Sequence, residues 1–118
     1  MIPYSRQQID NKDIKSINKV LKSKFITQGS QINIFEKKIC IKVDSKYGVA
    51  VNSATSALHI SCLALGLKKK EYLWTVPNTF IASANCGLYC GARIDFVDID
   101  EDTFNISIEK LKKKLILA

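Results

Sequence analysis

Apolar positions recur at helical spacing near the start of the chain, where Ile14, Ile17, Val20 and Leu21 fall three or four residues apart or side by side. Asp10 stands ahead of them as an N-cap residue, so a helix is predicted from there to near Lys24. Phe25 to Gly29 reads as an extended segment that turns at the glycine. A second helix follows, with Phe35 and Ile39 on its buried face.

From Gly48 the pattern changes. Gly48-Val49-Ala50-Val51 is a short apolar run with β-branched residues and predicts a buried strand. Asn52 to Ser56 is a tight polar turn, and the apolar stretch from Ala57 to Leu65 predicts a helix closed by Gly66. Tyr72 to Val76 is a second strand, ended by Pro77. Small residues from Thr79 to Cys90 predict a helix that stops at Gly91, and Arg93 to Val97 is a third strand. Ser107 caps a last helix carrying Ile108, Leu111 and Leu115.

Strands alternating with helices predict parallel pairing through right-handed crossovers, hence an α/β class with a mostly parallel sheet and flanking helices. Three strands leave sheet edges unpaired, so residues 1–118 are expected to form an incomplete part of a larger domain. No repeat, low-complexity tract or linker interrupts the pattern.

Composition excludes several classes. Hydrophobic residues make up 47% of the 118 positions and charged residues 25%, an ordinary globular balance. No apolar stretch is long enough to cross a bilayer, and the start MIPYSRQQID lacks a basic segment followed by an apolar core. The expected compartment is the cytoplasm. The net charge of +7 comes largely from lysine runs such as Lys68-Lys69-Lys70 and Lys112-Lys113-Lys114, which read as solvated faces and not as a nucleic-acid surface. Cys40, Cys62, Cys86 and Cys90 are too scattered for a zinc site and are expected to be reduced and mostly buried. No metal site is expected.

Two turns carry the candidate chemistry. At Asn52 to Ser56, small hydroxyl residues precede a helix, whose start offers unpaired N–H groups and the positive end of the dipole. That arrangement fits a phosphate, and it equally fits Ser53 or Thr55 acting only as a cap. At Pro77-Asn78-Thr79-Phe80, the aromatic either stacks on a flat ring or lies in the core, and base rates favour the core. The acidic cluster Asp98, Asp100, Glu101 and Asp102 lacks calcium-loop spacing and reads as Asx-turn chemistry. His59, alone of its type, reads as structural.

Over essentially its whole length the chain resembles the DegT/DnrJ/EryC1/StrS family of sugar aminotransferases. The resemblance is carried by Leu21 to Gly29 with Phe35-Glu36, by Ala50 to His59, by Val76 to Asn85, and by Tyr89 to Asp100 with Thr103-Phe104-Asn105. Asn52 to Leu58 together with Trp74 to Phe80 is similar to the branch that acts in pseudaminic-acid biosynthesis. The resemblance implies the N-terminal part of the large domain of a type I aminotransferase fold, pyridoxal 5'-phosphate (PLP) as cofactor, and a homodimer. It implies transfer of an amino group from glutamate to C4 of a UDP-linked 4-keto-6-deoxy-N-acetylhexosamine. In the family the residues matching Thr55 and Ser56 hold the cofactor phosphate, and the aromatic matching Phe80 stacks on its ring. Tyr4, Lys24, Phe25, Ile26, Thr27 and Ala54 match positions beside the nucleotide sugar. No catalytic residue is assigned: no lysine here stands in the family's Ser-x-x-Lys context, so the Schiff-base lysine is expected beyond residue 118 and the 118-residue chain is expected to be inactive alone. Some relatives carry histidine instead of that lysine and dehydrate sugars, which is the alternative reading, with a non-catalytic binding or regulatory module as the other.

Overall fold

The computed structural model describes residues 2–3 and 5–117, and these divide into two compact units, residues 1–50 and 51–118.

The first unit holds helices α1 (Asn11–Leu21) and α2 (Ser30–Val43). Asp10 begins α1 through a reciprocal box: its Oδ1 accepts from the N–H groups of Lys12 (2.7 Å) and Asp13 (3.1 Å), and Asp13 Oδ2 accepts from the Asp10 N–H at 2.9 Å. Between the helices, residues 25–29 bend and do not run extended as expected. The left-handed residue is Gln28 (φ 51°), not Gly29, which is extended. Glycine is needed at 29 for a different reason: a Cβ there would stand 3.0 Å from the carbonyl oxygen of Phe25.

Two expectations fail in this unit. Phe35 is 56% exposed and Ile39 is also exposed; the less exposed positions of α2 are Glu36 and Cys40, one turn apart. The chain returning from the helix runs against that pair, with Ala50 N–H donating to Glu36 Oε1 at 2.8 Å and Gly48 close against the Cys40 sulfur. Accordingly Gly48 to Val51 is not a strand. Its backbone is paired to a side chain instead of a ladder, and Val49 is 78% exposed.

The second unit runs α3 (Ala54–Ala64), β1 (Tyr72–Thr75), α4 (Ala82–Tyr89), β2 (Arg93–Phe96) and α5 (Ile108–Leu117). β1 and β2 pair in parallel, with Tyr72 opposite Arg93 and Thr75 opposite Phe96, so two strands are described where three were expected. α4 is the crossover between them and packs on both strands and on α3. Its small residues permit this: a Cβ on Gly87 would meet Leu73 Cβ at 3.1 Å and Ile94 Cδ1 at 2.5 Å. Cys62, Ala82, Cys86, Ala92 and Val97 form the core. Gly66 (φ 78°) and Gly91 (φ 75°) supply the left-handed residues after α3 and α4. α4 begins at Ala82, three residues later than predicted.

Beyond β2, Ile99 and Ile106 form an antiparallel bridge around a turn in which Asp100 Oδ1 accepts from both the N–H and the hydroxyl of Thr103 at 2.9 Å. This is the Asx-turn chemistry expected of the acidic cluster. Ser107 begins α5, its carbonyl accepting from Leu111 N–H at 2.9 Å. All four cysteines are free, with Cys62 and Cys86 buried and Cys40 and Cys90 half-buried. His59 of α3 packs edge-on against Tyr89 of α4, ring centroids 5.3 Å apart, which suits a structural histidine. Among the described residues no helix is long and apolar enough to cross a membrane, and no group of three metal-ligating side chains gathers.

Candidate cofactor site

The N-terminus of α3 collects the hydroxyl residues singled out in the sequence. Ser53 is the N-cap, in extended backbone, and its Oγ accepts the Ser56 N–H at 3.1 Å. Ser56 Oγ donates to Asn52 Oδ1 at 2.7 Å and lies 3.0 Å from Ser53 Oγ. Ala54, Thr55 and Ser56 form the first turn of the helix, so the predicted polar turn is three residues shorter than it looked and the hydroxyls of Thr55 and Ser56 belong to the helix itself. Ser53 caps the helix, while Thr55 is half-buried and has no capping hydrogen bond. The first-turn N–H groups of Ala54 and Thr55 have no intrahelical acceptor. The turn is positive by its dipole and carries no acidic side chain. A phosphate dianion is the ligand chemistry that such a donor set suits.

Phe80 sits in the loop after β1 and is 74% exposed. Beside it Thr79 Oγ1 and Ser83 Oγ are hydrogen-bonded at 2.9 Å, and α4 starts without a side-chain cap.

In the first unit, Lys24, Phe25, Ile26 and Thr27 are all exposed in the bend between α1 and α2. Phe25 and Ile26 line a cavity of about 280 Å³ with Lys19, Ser23, Gln28 and Ser30. Lys24 Nζ lies 5.5 Å over the ring of Phe25, and Ser23 Oγ donates to the Phe25 carbonyl at 3.0 Å. Ala54 opens α3 in the second unit and is exposed. Tyr4 lies outside the described residues. Pattern reading missed Asn52, which was visible only as one polar member of the turn; its tie to Ser56 depends on side-chain rotamers that residue spacing does not encode.

The chain is thus of the α/β class, with a hydroxyl-bearing helix start and an exposed aromatic after the next strand, and comparison with known proteins narrows that class. Residues 7–116 match the DegT/DnrJ/EryC1/StrS aminotransferase family, and the chain belongs to that family. It is 44% identical over 116 residues to the UDP-4-amino-4,6-dideoxy-N-acetyl-beta-L-altrosamine transaminase of Campylobacter jejuni subsp. jejuni serotype O:23/36 (strain 81-176), a match covering 98% of this chain and 30% of that protein. A sugar aminotransferase of Streptococcus pneumoniae, Spr1654, in its PLP form superposes with a TM-score of 0.90 at 28% identity, covering 95% of this chain and 29% of that one. The E. coli GDP-4-keto-6-deoxy-D-mannose-3-dehydratase with bound hydrated PLP gives 0.87 at 32% identity, covering 94% and 30%. The chain thus spans under a third of the length of the relatives it matches, and over that stretch it has the aminotransferase fold.

Proposed function

We propose that residues 1–118 are the N-terminal segment and the opening of the large cofactor-binding domain of a PLP-dependent sugar aminotransferase. The intact protein moves an amino group from glutamate to C4 of a UDP-linked 4-keto-6-deoxy-N-acetylhexosamine, in the nucleotide-sugar chemistry that leads to pseudaminic acid. The reading includes a homodimer and a cytoplasmic location. Support for the substrate comes from the 44% identity to the altrosamine transaminase across nearly all of this chain. Support for an incomplete domain comes from the many large apolar side chains left exposed and from the absence, among the described residues, of any large side chain that is fully buried.

The observation that carries the proposal is the first turn of α3, where small residues place two hydroxyls and unpaired N–H groups at the positive end of an 11-residue helix. Thr55 and Ser56 hold the cofactor phosphate there, and the exposed face of Phe80 stacks on the cofactor ring. When bound, PLP supplies an electron sink for amino transfer. Lys24, Phe25, Ile26, Thr27, Tyr4 and Ala54 contact the nucleotide sugar. No residue of this chain is assigned to the chemical step, and residues 1–118 alone do not transaminate.

Replacing Thr55 and Ser56 together by Ala in the intact protein tests the cradle. The expected result is loss of PLP on dialysis with the fold retained; cofactor occupancy equal to the unaltered protein overturns it. A second reading, a PLP-dependent sugar dehydratase, is favoured by the likeness to the E. coli dehydratase. Incubating the intact protein with glutamate and the UDP-4-keto sugar separates the two: an aminated sugar supports the transaminase, and a deoxygenated sugar supports the dehydratase.

A further inference from the structure

The geometry points to Asn52 as a positioning residue that sets the Ser56 hydroxyl for the cofactor phosphate, its amide accepting from that hydroxyl or, turned over, donating to it when the hydroxyl bonds phosphate. The inference rests on the phosphate reading of Thr55 and Ser56. Proton bookkeeping at the start of α3 leads to it. Ser56 has one hydroxyl proton, and at 2.7 Å it is given to Asn52 Oδ1. The Ser53 hydroxyl then faces two acceptors, Ser56 Oγ at 3.0 Å and Asn52 Oδ1 at 3.5 Å, while Ser53 Oγ accepts the Ser56 N–H at 3.1 Å. In this arrangement the Ser56 hydroxyl has no proton left for an anion.

A phosphate oxygen is the stronger, charge-assisted acceptor and takes that proton when it arrives. Asn52 Oδ1 is then left facing a lone pair of Ser56. An amide resolves this by turning over, because it carries an acceptor and a donor of the same size on one carbon. Turned, the Asn52 amide donates to Ser56 Oγ, holds it in place and strengthens its hydroxyl as a donor through the chain of bonds. Asn52 is exposed, so nothing buried has to move. Aspartate in its place keeps only the accepting half of this role: it accepts from Ser56 and cannot donate back, and it sets a negative charge beside the phosphate.

The test measures PLP affinity of the intact apoprotein by absorbance or fluorescence titration, with apoprotein melting recorded alongside. Asn52→Ala is expected to weaken PLP about fivefold, the worth of one net hydrogen bond. Asn52→Asp is expected to keep the apoprotein melting point and to weaken PLP more than Asn52→Ala does. Asn52→Ala added to Ser56→Ala is expected to cost nothing further, because the two act as one unit. An unchanged affinity in Asn52→Ala, or equal affinity of Asn52→Asp and the unaltered protein, overturns the inference, as does full additivity with Ser56→Ala. Should Asn52→Ala fail to fold, Asn52→Asp decides alone, since it retains the accepting half of the role. Failure of the underlying reading looks different: then Ser56→Ala itself leaves PLP affinity unchanged.

Discussion

Lys114 Nζ lies 2.6 Å from Asp95 Oδ2, joining the last turns of α5 to strand β2. One turn earlier on the same helix, Lys110 Nζ pairs with Asp98 Oδ2 at 2.8 Å. Lys114 also donates to the Phe96 carbonyl and stands 5.8 Å over the ring of Trp74. α5 has no buried residue of its own, and these two lysines tie it to β2 and to the segment that follows.

The pairs make the attachment of α5 sensitive to pH at both extremes. Lys114 beside Asp95, and then the Phe96 N–H, hold that carboxyl below the usual range; Lys110 and then the Ile99 N–H do so for Asp98. A folded pKa below the unfolded value of about 3.9 means the contribution is present above that value and is lost as pH falls through the folded one. Lys110 is raised, first by its bond to Asp98, so its contribution is present below about 10.4 and is lost as pH rises through the raised value. Carbon-13 NMR titration of labelled aspartates is expected to place the Asp98 midpoint below an ordinary aspartate, and Lys110→Met to move it up. A midpoint that ignores Lys110→Met would contradict the pairing. The gain in global stability is small, because both pairs are solvated.

Substitutions at glycine separate crowding from backbone strain. Gly87→Ala gains about 1 kcal/mol of helix propensity but inserts a methyl group against the rigid Leu73 Cβ, an overpacking cost of about 1–3 kcal/mol. Net destabilisation is expected, and Gly87→Val should be worse. Gly66→Ala meets nothing within 4 Å and costs only the left-handed conformation, about 1–2 kcal/mol. Urea unfolding of the intact protein checks the order: Gly66→Ala less stable than Gly87→Val would remove the crowding argument.

Four helix-end residues were legible in the fold. Asp10, Gly66, Gly91 and Ser107 each act through a local hydrogen bond or a positive φ, and local chemistry is what residue order displays. Which face of a helix turns inward was less legible. The apolar residues of α2 are spread around its circumference, so its sequence does not mark the face on which Glu36 and Cys40 lie, and Phe35 and Ile39 were expected inside instead. Gly48 to Val51 failed for a related reason: β-branched residues suit a ladder, but a neighbouring strand must supply it, and no window of sequence reports that neighbour. At the site, the small hydroxyl residues before α3 were readable as a pattern. Family resemblance alone made Thr55, Ser56 and Phe80 candidates for cofactor contact.

Phe80 offers a test that leaves the fold alone. Its side chain is largely in solvent, so Phe80→Leu is expected to change stability by no more than about 0.5 kcal/mol. Loss of a stacked ring is expected to weaken PLP binding and shift its absorbance band. An unaltered spectrum and affinity would refute the stacking role.

Cys62 is expected to be the least reactive thiol of the chain. It belongs to α3, the helix that packs on α4, and burial first, then its own hydrogen bond to Cys86, pushes its thiol up to about 11. The thiolate is the nucleophile, so at pH 8 only about one Cys62 side chain in a thousand is reactive, against about a quarter of free cysteine at its usual pKa near 8.5. Burial of Cys62 and Cys86 also blocks access, whereas Cys40 and Cys90 reach solvent. Timed alkylation with iodoacetamide at pH 8, read peptide by peptide in a mass spectrometer, is expected to label Cys40 and Cys90 first and Cys62 at least a hundredfold more slowly than glutathione. Early labelling of Cys62 would show that α3 and α4 separate in the folded protein, since an ionised thiol there requires water to reach it.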